Sequence, residues 1–312
     1  MRMATVARPN WTAPASRSAD AARALRIRPL AVSAAVCDAL ARGAAIVRAV
    51  HRYGVSLALP GTNDTVFLST PGRGLLPAHI VVCARDLDRV LDATESIGAA
   101  AANPGDELSL YFDVQGVRVF RPRLAPRAAE MASSRARANV AAAAQWLRAY
   151  PASLGLGATA AQLLAPAGRW RNDLLAFQHD QRQAESVFRA LVGRGAGSTP
   201  AGDDFLIGVL AYAWVTRGRE APAVETLRAL AAELPALTTS VGASYLRAAA
   251  RGEFGSHLIA WVRGLPHVSS QRGLELARRA AAHGATSGYD TLLGFVAAAE
   301  AADAASANTR LH

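Results

Sequence analysis

From about residue 30 to Pro126 the apolar residues come in short runs, mixed with polar ones and broken by turn residues roughly every 8–15 positions, the texture of short strands. Ala45–Val50 and Val55–Leu59 flank Tyr53-Gly54, and Val66–Leu68 follows the turn cluster Pro60-Gly61-Thr62-Asn63-Asp64. Ile80–Val82 lies beyond Pro71-Gly72-Arg73-Gly74, and the pair Leu108–Val114 and Val117–Pro122 is joined by Gln115-Gly116. About five to seven such strands suggest a small barrel or sandwich. Asp86–Ile97 reads as a short helix between strands. After Pro126 the pattern changes: 127–149 and 156–192 are rich in Ala and Leu at helical spacing, and from residue 200 apolar helices alternate with Gly/Ser/Thr starts. The expected fold is α+β. A β-rich barrel- or sandwich-like domain (29–126) follows a basic flexible tail (1–28) and precedes an all-α domain (127–312).

Composition narrows the chemistry. With 312 residues, 51% of them hydrophobic, the chain can bury one large core or two moderate ones. No apolar run approaches the roughly 20 residues of a bilayer span, and residues 1–28 lack the apolar stretch of a secretory signal. Cys37 and Cys83 lie among apolar residues, as buried reduced thiols of a cytoplasmic protein would. The net charge is +10 and all 34 basic residues are arginine. A chain without lysine can have no Walker P-loop, pyridoxal Schiff base, lysine general base or Ser-x-x-Lys nucleophile. The arginines are scattered and aromatics make up 6%, which speaks against nucleic acid as a partner.

The most informative segment is Gly193-Arg194-Gly195-Ala196-Gly197-Ser198-Thr199-Pro200-Ala201-Gly202-Asp203-Asp204. Thr199 before Pro200 predicts a hydroxyl N-cap with proline at the first helical position. Closely spaced Gly193, Gly195 and Gly197 expose backbone N–H groups beside a helix N-terminus, a natural place for an anion. Asp203 and Asp204 stabilise a first turn through the helix dipole with no ligand at all. In a site they either hold Mg²⁺ against a phosphate or accept hydrogen bonds from a substrate amide. The sequence requires no cofactor; Mg²⁺ is compatible with it, and metal ligands are not identified.

Gly202-Asp203-Asp204-Phe205-Leu206-Ile207-Gly208 has two echoes. Gly288-Tyr289-Asp290-Thr291-Leu292-Leu293-Gly294 repeats it as Gly-x-Asp-x-Leu-x-Gly, and Gly242-Ala243-Ser244-Tyr245-Leu246 is a weaker copy. Each follows hydroxyl residues: Ser198/Thr199, Thr238/Thr239/Ser240 and Thr286/Ser287. Ser287 with Asp290 has the spacing of a capping box. Glycine inside a helix costs about 1 kcal/mol relative to alanine, so Gly208 and Gly294 imply close approach of a helix or ligand. The sharper expectation is that the three N-termini converge on one polar site. Asp203, Asp204 and Asp290 would be its catalytic carboxylates, and Arg194, Gly195, Gly197, Ser198, Thr199, Gly202, Thr238, Thr239, Ser287 and Gly288 its substrate-binding groups. His283 is a further acid–base candidate and Arg247 a further anion ligand; His51, His79, His179, His257 and His267 show no ligand spacing.

Segment 193–208 resembles the signature Gly-x-Gly-Pro-Gly-Leu-Thr-Pro-Ser-Gly-Asp-Asp-Phe-Leu-x-Gly of the AllH-type family. Thr238-Thr239-Ser240 with Tyr245-Leu246 is similar to its Thr-Thr-x-x-Ser stretch, and Gly284–Asp290 to its late Gly-His-x-Ser-Gly-x-Asp motif. The departures are Ala196 for proline, Ser198 for leucine, Ala201 for serine and Ala285 for histidine. The resemblance implies a subunit of an oxamate carbamoyltransferase of allantoin breakdown, in purine degradation. That enzyme converts oxalurate and phosphate to oxamate and carbamoyl phosphate, and it works with partner subunits of other families. Carboxylate, amide and phosphate are groups that helix N-termini, hydroxyls, arginines and aspartates would hold. The alternative is a non-catalytic small-molecule-binding or scaffold subunit of a metabolic complex. Neither reading calls for a membrane.

Overall fold

The computed structural model describes residues 24–309 apart from 63, 73, 101–106, 151–154, 166–172 and 175–179. The N-terminal part is one eight-stranded sheet in the order β1-β7-β3-β4-β5-β6-β2-β8. Its strands are β1 (Ala24–Ile27), β2 (Ala31–Ser33), β3 (Ala45–His51), β4 (Gly54–Ala58), β5 (Thr65–Ser69), β6 (His79–Val81), β7 (Ser109–Phe112) and β8 (Arg118–Phe120). The meander β3-β4-β5 is antiparallel, whereas β1–β7, β2–β8 and β5–β6 pair in parallel. Links 28–30 and 113–117 each join strands at opposite ends of this order. Such short links reach only because the sheet curls into a half-barrel. Helix α1 (Ala34–Arg42) lies against β2, β7 and β8, and α2 (Ala84–Ala100) continues from the end of β6. Val55, Leu57, Val66, Leu68, Ile80 and Leu110 form the sheet core.

Four expectations change here. Residues 24–27, assigned to the tail, form β1, because Leu25 and Ile27 alternate with Arg26 and Arg28 and turn toward the sheet core. The rest of the tail, 1–23, lies outside the described residues, as does His179. Residues 34–42 are helical within a stretch read as strands; Val36, Ala39 and Leu40 are buried at spacing that suits a helix. The segments joined by Gln115-Gly116 are not a hairpin. β7 pairs with β1 and β3, while β8 pairs with β2 across the curl. Cys37 and Cys83 are free and half-buried rather than fully buried.

The C-terminal part is helical: α3 (Ala128–Met131), α4 (Ser134–Arg148), α5 (Ala160–Leu163), α6 (Gln181–Leu191), α7 (Ala201–Arg217), α8 (Pro222–Ala229), α9 (Leu234–Leu237), α10 (Ser240–Ala249), α11 (Ser256–Gly264), α12 (Ser270–Ala281) and α13 (Ser287–Thr309). None of the described helices is long and apolar enough to cross a membrane. At the centre α7 packs along α13. The contact is reciprocal: a Cβ at Gly208 would overlap the carbonyl oxygen of Thr291, and one at Gly294 would overlap that of Phe205. Phe205 and Thr291 follow the aspartates of the two repeats, so equivalent positions meet about an approximate two-fold axis. Phe205, Leu206, Val209, Leu292, Leu293 and Phe295 surround this crossing. α4 closes one side, where the Leu147 carbonyl accepts from the Tyr289 hydroxyl at 2.9 Å and Asn139 Nδ2 donates to the Leu265 carbonyl at 2.8 Å.

The weaker third copy serves a different end. Ser244, at the position of Asp204 and Asp290, accepts from the Thr65 amide at 2.7 Å. Arg247 Nε donates to Asp64 Oδ1 at 2.8 Å. These bonds fasten α10 to the sheet, so Arg247 is engaged by Asp64.

Gly294→Ala is expected to lower unfolding free energy by about 3 kcal/mol, since the backbone must move to admit the methyl. Gly208→Ala should cost a similar amount. Both insertions are relieved by one displacement of α13, so the double variant should cost at least about 0.5 kcal/mol less than the sum. Urea unfolding of the four proteins measures this; additive costs would show that the two contacts are independent.

Candidate functional site at three helix starts

The starts of α7, α10 and α13 come together. Thr199 Oγ1 and Ser287 Oγ share a hydrogen bond of 2.8 Å. Thr239 Oγ1 donates to the Ser198 carbonyl at 2.6 Å and accepts from the Gly242 amide at 2.9 Å. Residues 194–198 lie exposed above these contacts, with Gly195 and Gly197 at φ 111° and 100°, values that residues with a β-carbon rarely adopt. Arg194 is exposed, and its carbonyl accepts from the Gly202 amide at 2.8 Å. Thr199, Thr238, Thr239 and Ser287 are half-buried, whereas Gly202 and Gly288 are buried against the carbonyls of Leu191 and Ala280.

Two local expectations are corrected. Thr199 is not the N-cap of α7: Pro200 holds that position without a side-chain bond, and the Thr199 hydroxyl reaches across to Ser287 instead. Ser287 and Asp290 do not form a capping box. The Ser287 hydroxyl is bonded to Thr199, and both Asp290 oxygens are buried without a hydrogen-bond partner. In each case a hydroxyl suited to its own helix serves a neighbouring one.

The three aspartates lie beneath the rim. Asp203 is fully engaged: Oδ1 accepts from the Gly193 amide at 2.7 Å and Oδ2 from the Thr238 hydroxyl. Burial raises its pKa, and those two bonds pull it down in part. Asp204 is 3% exposed and its Oδ2 has no hydrogen-bond partner. Burial holds its carboxyl well above the usual carboxylate range, helped by the charges of Asp290 and Asp203 and opposed by the hydroxyls of Ser287 and Thr199. Asp290 is wholly buried, and burial lifts its pKa to about 6. The nearby Thr286 hydroxyl opposes that rise, although no hydrogen bond of good geometry reaches either oxygen. Two adjacent residues thus have separate duties: Asp203 fastens the glycine loop, and Asp204 faces Asp290. Among the described residues no group of three or more His, Cys, Asp or Glu is disposed to hold a metal ion.

The structure adds Tyr245, whose phenol is pushed above its usual range by burial and by the charge of Asp204. Its signal in the sequence was its place in the third copy, where Phe205 stands in the first. His283 turns its ring toward His257, with centroids 5.5 Å apart, and its carbonyl accepts from the Gly288 amide at 2.9 Å.

The pKa of Asp290 is raised from 3.8, so its contribution is fully favourable below that value and is lost as pH rises through about 6. At 1.36 kcal/mol per pH unit, the loss is about 3 kcal/mol. Asp290→Asn should abolish it. Between pH 3 and 8 the native protein should lose about 3 kcal/mol more stability than the variant; parallel curves from denaturant unfolding would refute the assignment.

No solved structure matches the chain. Residues 191–299, which hold all three helix starts, match the family described as oxamate carbamoyltransferase subunit AllH.

Proposed function

We propose that the protein is a subunit of a cytoplasmic carbamoyltransferase that moves a carbamoyl group between a small ureido carboxylate, of the oxalurate kind, and phosphate during purine and allantoin breakdown. The observation that carries this reading is the meeting of three distant helix starts, Thr199 with Ser287 hydroxyl to hydroxyl and Thr239 on the Ser198 carbonyl, over the buried pair Asp204 and Asp290. Exposed N–H groups and hydroxyls of 194–199 suit an anion. The raised pKa of Asp204 removes an objection to placing phosphate there, because a protonated carboxyl does not repel it.

In this scheme a phosphate oxygen attacks the ureido carbon, and the dipoles at the helix starts stabilise the charge of the tetrahedral intermediate. The carbon–nitrogen bond to the leaving amide then breaks. Asp290, titrating near 6, takes the proton that the phosphate gives up, and Asp204 supplies the one the leaving nitrogen needs. Asp204 acts through the hydroxyls of Ser287 and Thr199 and Asp290 through that of Thr286, and the proton count balances. Asp203 holds the loop in place. The scheme needs no Mg²⁺, and Asp203, with both oxygens occupied, is a poor candidate ligand for it.

The depth of Asp204 and Asp290 favours a site completed by partner subunits. It is also the observation that favours the second reading, a non-catalytic ligand-binding or scaffold subunit. With the partner subunits present, phosphate-dependent breakdown of oxalurate is expected, and Asp204→Asn should lower kcat by roughly 10²-fold or more. Full activity in that variant would remove Asp204 from the mechanism. Ligand-induced thermal shifts with no turnover in the assembled complex would favour the second reading.

A further inference from the structure

Asp204 has one oxygen uncommitted: its Oδ2 is buried without a hydrogen-bond partner among the described residues. Such a carboxyl is tolerable while it holds a proton and costly once it does not. The titratable groups that face it are Asp203 on its own helix, Asp290 on α13 and Tyr245 on α10. The two aspartates would repel a charge there. Tyr245 can receive one.

α10 turns Gly242 toward α7, so closely that a Cβ there would overlap Asp203 Oδ2. Ser244 and Arg247 lie on the opposite face, bonded to the Thr65 amide and to Asp64. Tyr245 follows Gly242 by three residues and shares its face, and the charge of Asp204 acts on its phenol. Burial and that same charge keep the phenol protonated, so it stays a donor. Among the described residues its hydroxyl makes no hydrogen bond.

Two other tyrosines stand beside aspartates, and they differ. Tyr289, next to Asp290, commits its hydroxyl to the Leu147 carbonyl. Tyr212 faces Asp303, which is exposed to water. Among the described residues only Tyr245 sets an uncommitted phenol beside a buried carboxyl oxygen that has no partner. Phe205, its counterpart in the first copy, shows that a ring at this position needs no hydroxyl to pack.

We propose that Tyr245 is the positioning residue of Asp204: as that carboxyl gives up its proton, the phenol turns to donate to Oδ2 and so sets how readily Asp204 serves as an acid. A hydrogen bond to the ionised form favours it. Its effect on rate rests on the acid role given to Asp204 in carbamoyl transfer; the bond itself does not.

Carbon-13 NMR of the full chain, labelled at the aspartate carboxyls and tyrosine Cζ atoms, tests the bond without substrate. The Asp204 signal, assigned by its loss in Asp204→Asn, should titrate, and the Tyr245 Cζ signal should change in step with it. In Tyr245→Phe, which keeps the ring, the Asp204 midpoint should move up by about one pH unit or more. In the assembled complex the same variant should lower kcat several-fold and carry the alkaline limb of the pH profile upward, with KM unchanged. An Asp204 midpoint that is the same in Tyr245→Phe, or a Tyr245 Cζ signal that ignores the titration, overturns the proposal. So does an Asp204 that keeps its proton at every pH at which the protein is folded, since the phenol would then have no charge to meet. The expected NMR shifts with no turnover in any complex would support the bond and refute carbamoyl transfer.

Discussion

The reciprocal crossing of α7 and α13 is the constraint on which the rest depends. Two buried helices can bring their first turns together only if their backbones nearly touch a turn later. Gly208 and Gly294 make that possible, each against the carbonyl that follows the other helix's aspartate. The carboxyls of Asp204 and Asp290 are thereby forced into one small volume, and the hydroxyls of Thr199 and Ser287 into contact above them. Any larger residue at either glycine would separate the helices and the polar groups with them.

The electrostatics follow from this geometry. Burying one unpaired carboxylate is costly, and burying two side by side is costlier, so the energetically cheap state holds a proton. A chain with net charge +10 could have placed arginine beside them. None of the ion pairs of the described residues involves Asp203, Asp204 or Asp290; those pairs lie elsewhere, as in Arg148–Glu300 and Arg247–Asp64. Stability is given up at neutral pH for a pair of ionisable groups kept away from water, a balance found more often at functional sites than in plain cores.

Much of this could be read in the residues. The repeated Gly-x-Asp-x-Leu-x-Gly pointed to the close approach and to the convergence, because small residues in a helix interior are unfavourable unless something presses on them. The strands from β3 to β6 were legible from turn residues and short apolar runs. What could not be read was anything set by distant partners. Thr199 and Ser287 have the spacing of caps for their own helices, and only the fold decides that they bond to each other. The difference between Asp203 and Asp204 is likewise invisible in a dipeptide: it comes from α7 turning one side chain toward α10 and the next toward α13. The separation of β7 from β8 was missed because curling brings far segments together without leaving a local mark, whereas β1 and α1 carry local patterns too short to stand out beside the basic tail and the strands.

The bond from Tyr289 to Leu147, with that from Asn139 to Leu265, has a practical corollary. The stretch shared with the family begins at residue 191, yet both bonds lead back to α4, well upstream, and Ser244 and Arg247 are satisfied by the sheet. An excised fragment limited to the recognisable portion would carry the whole motif set and still lack the neighbours that saturate its hydroxyl, carbonyl and guanidinium groups. What identifies this protein and what folds cooperatively are different lengths of chain.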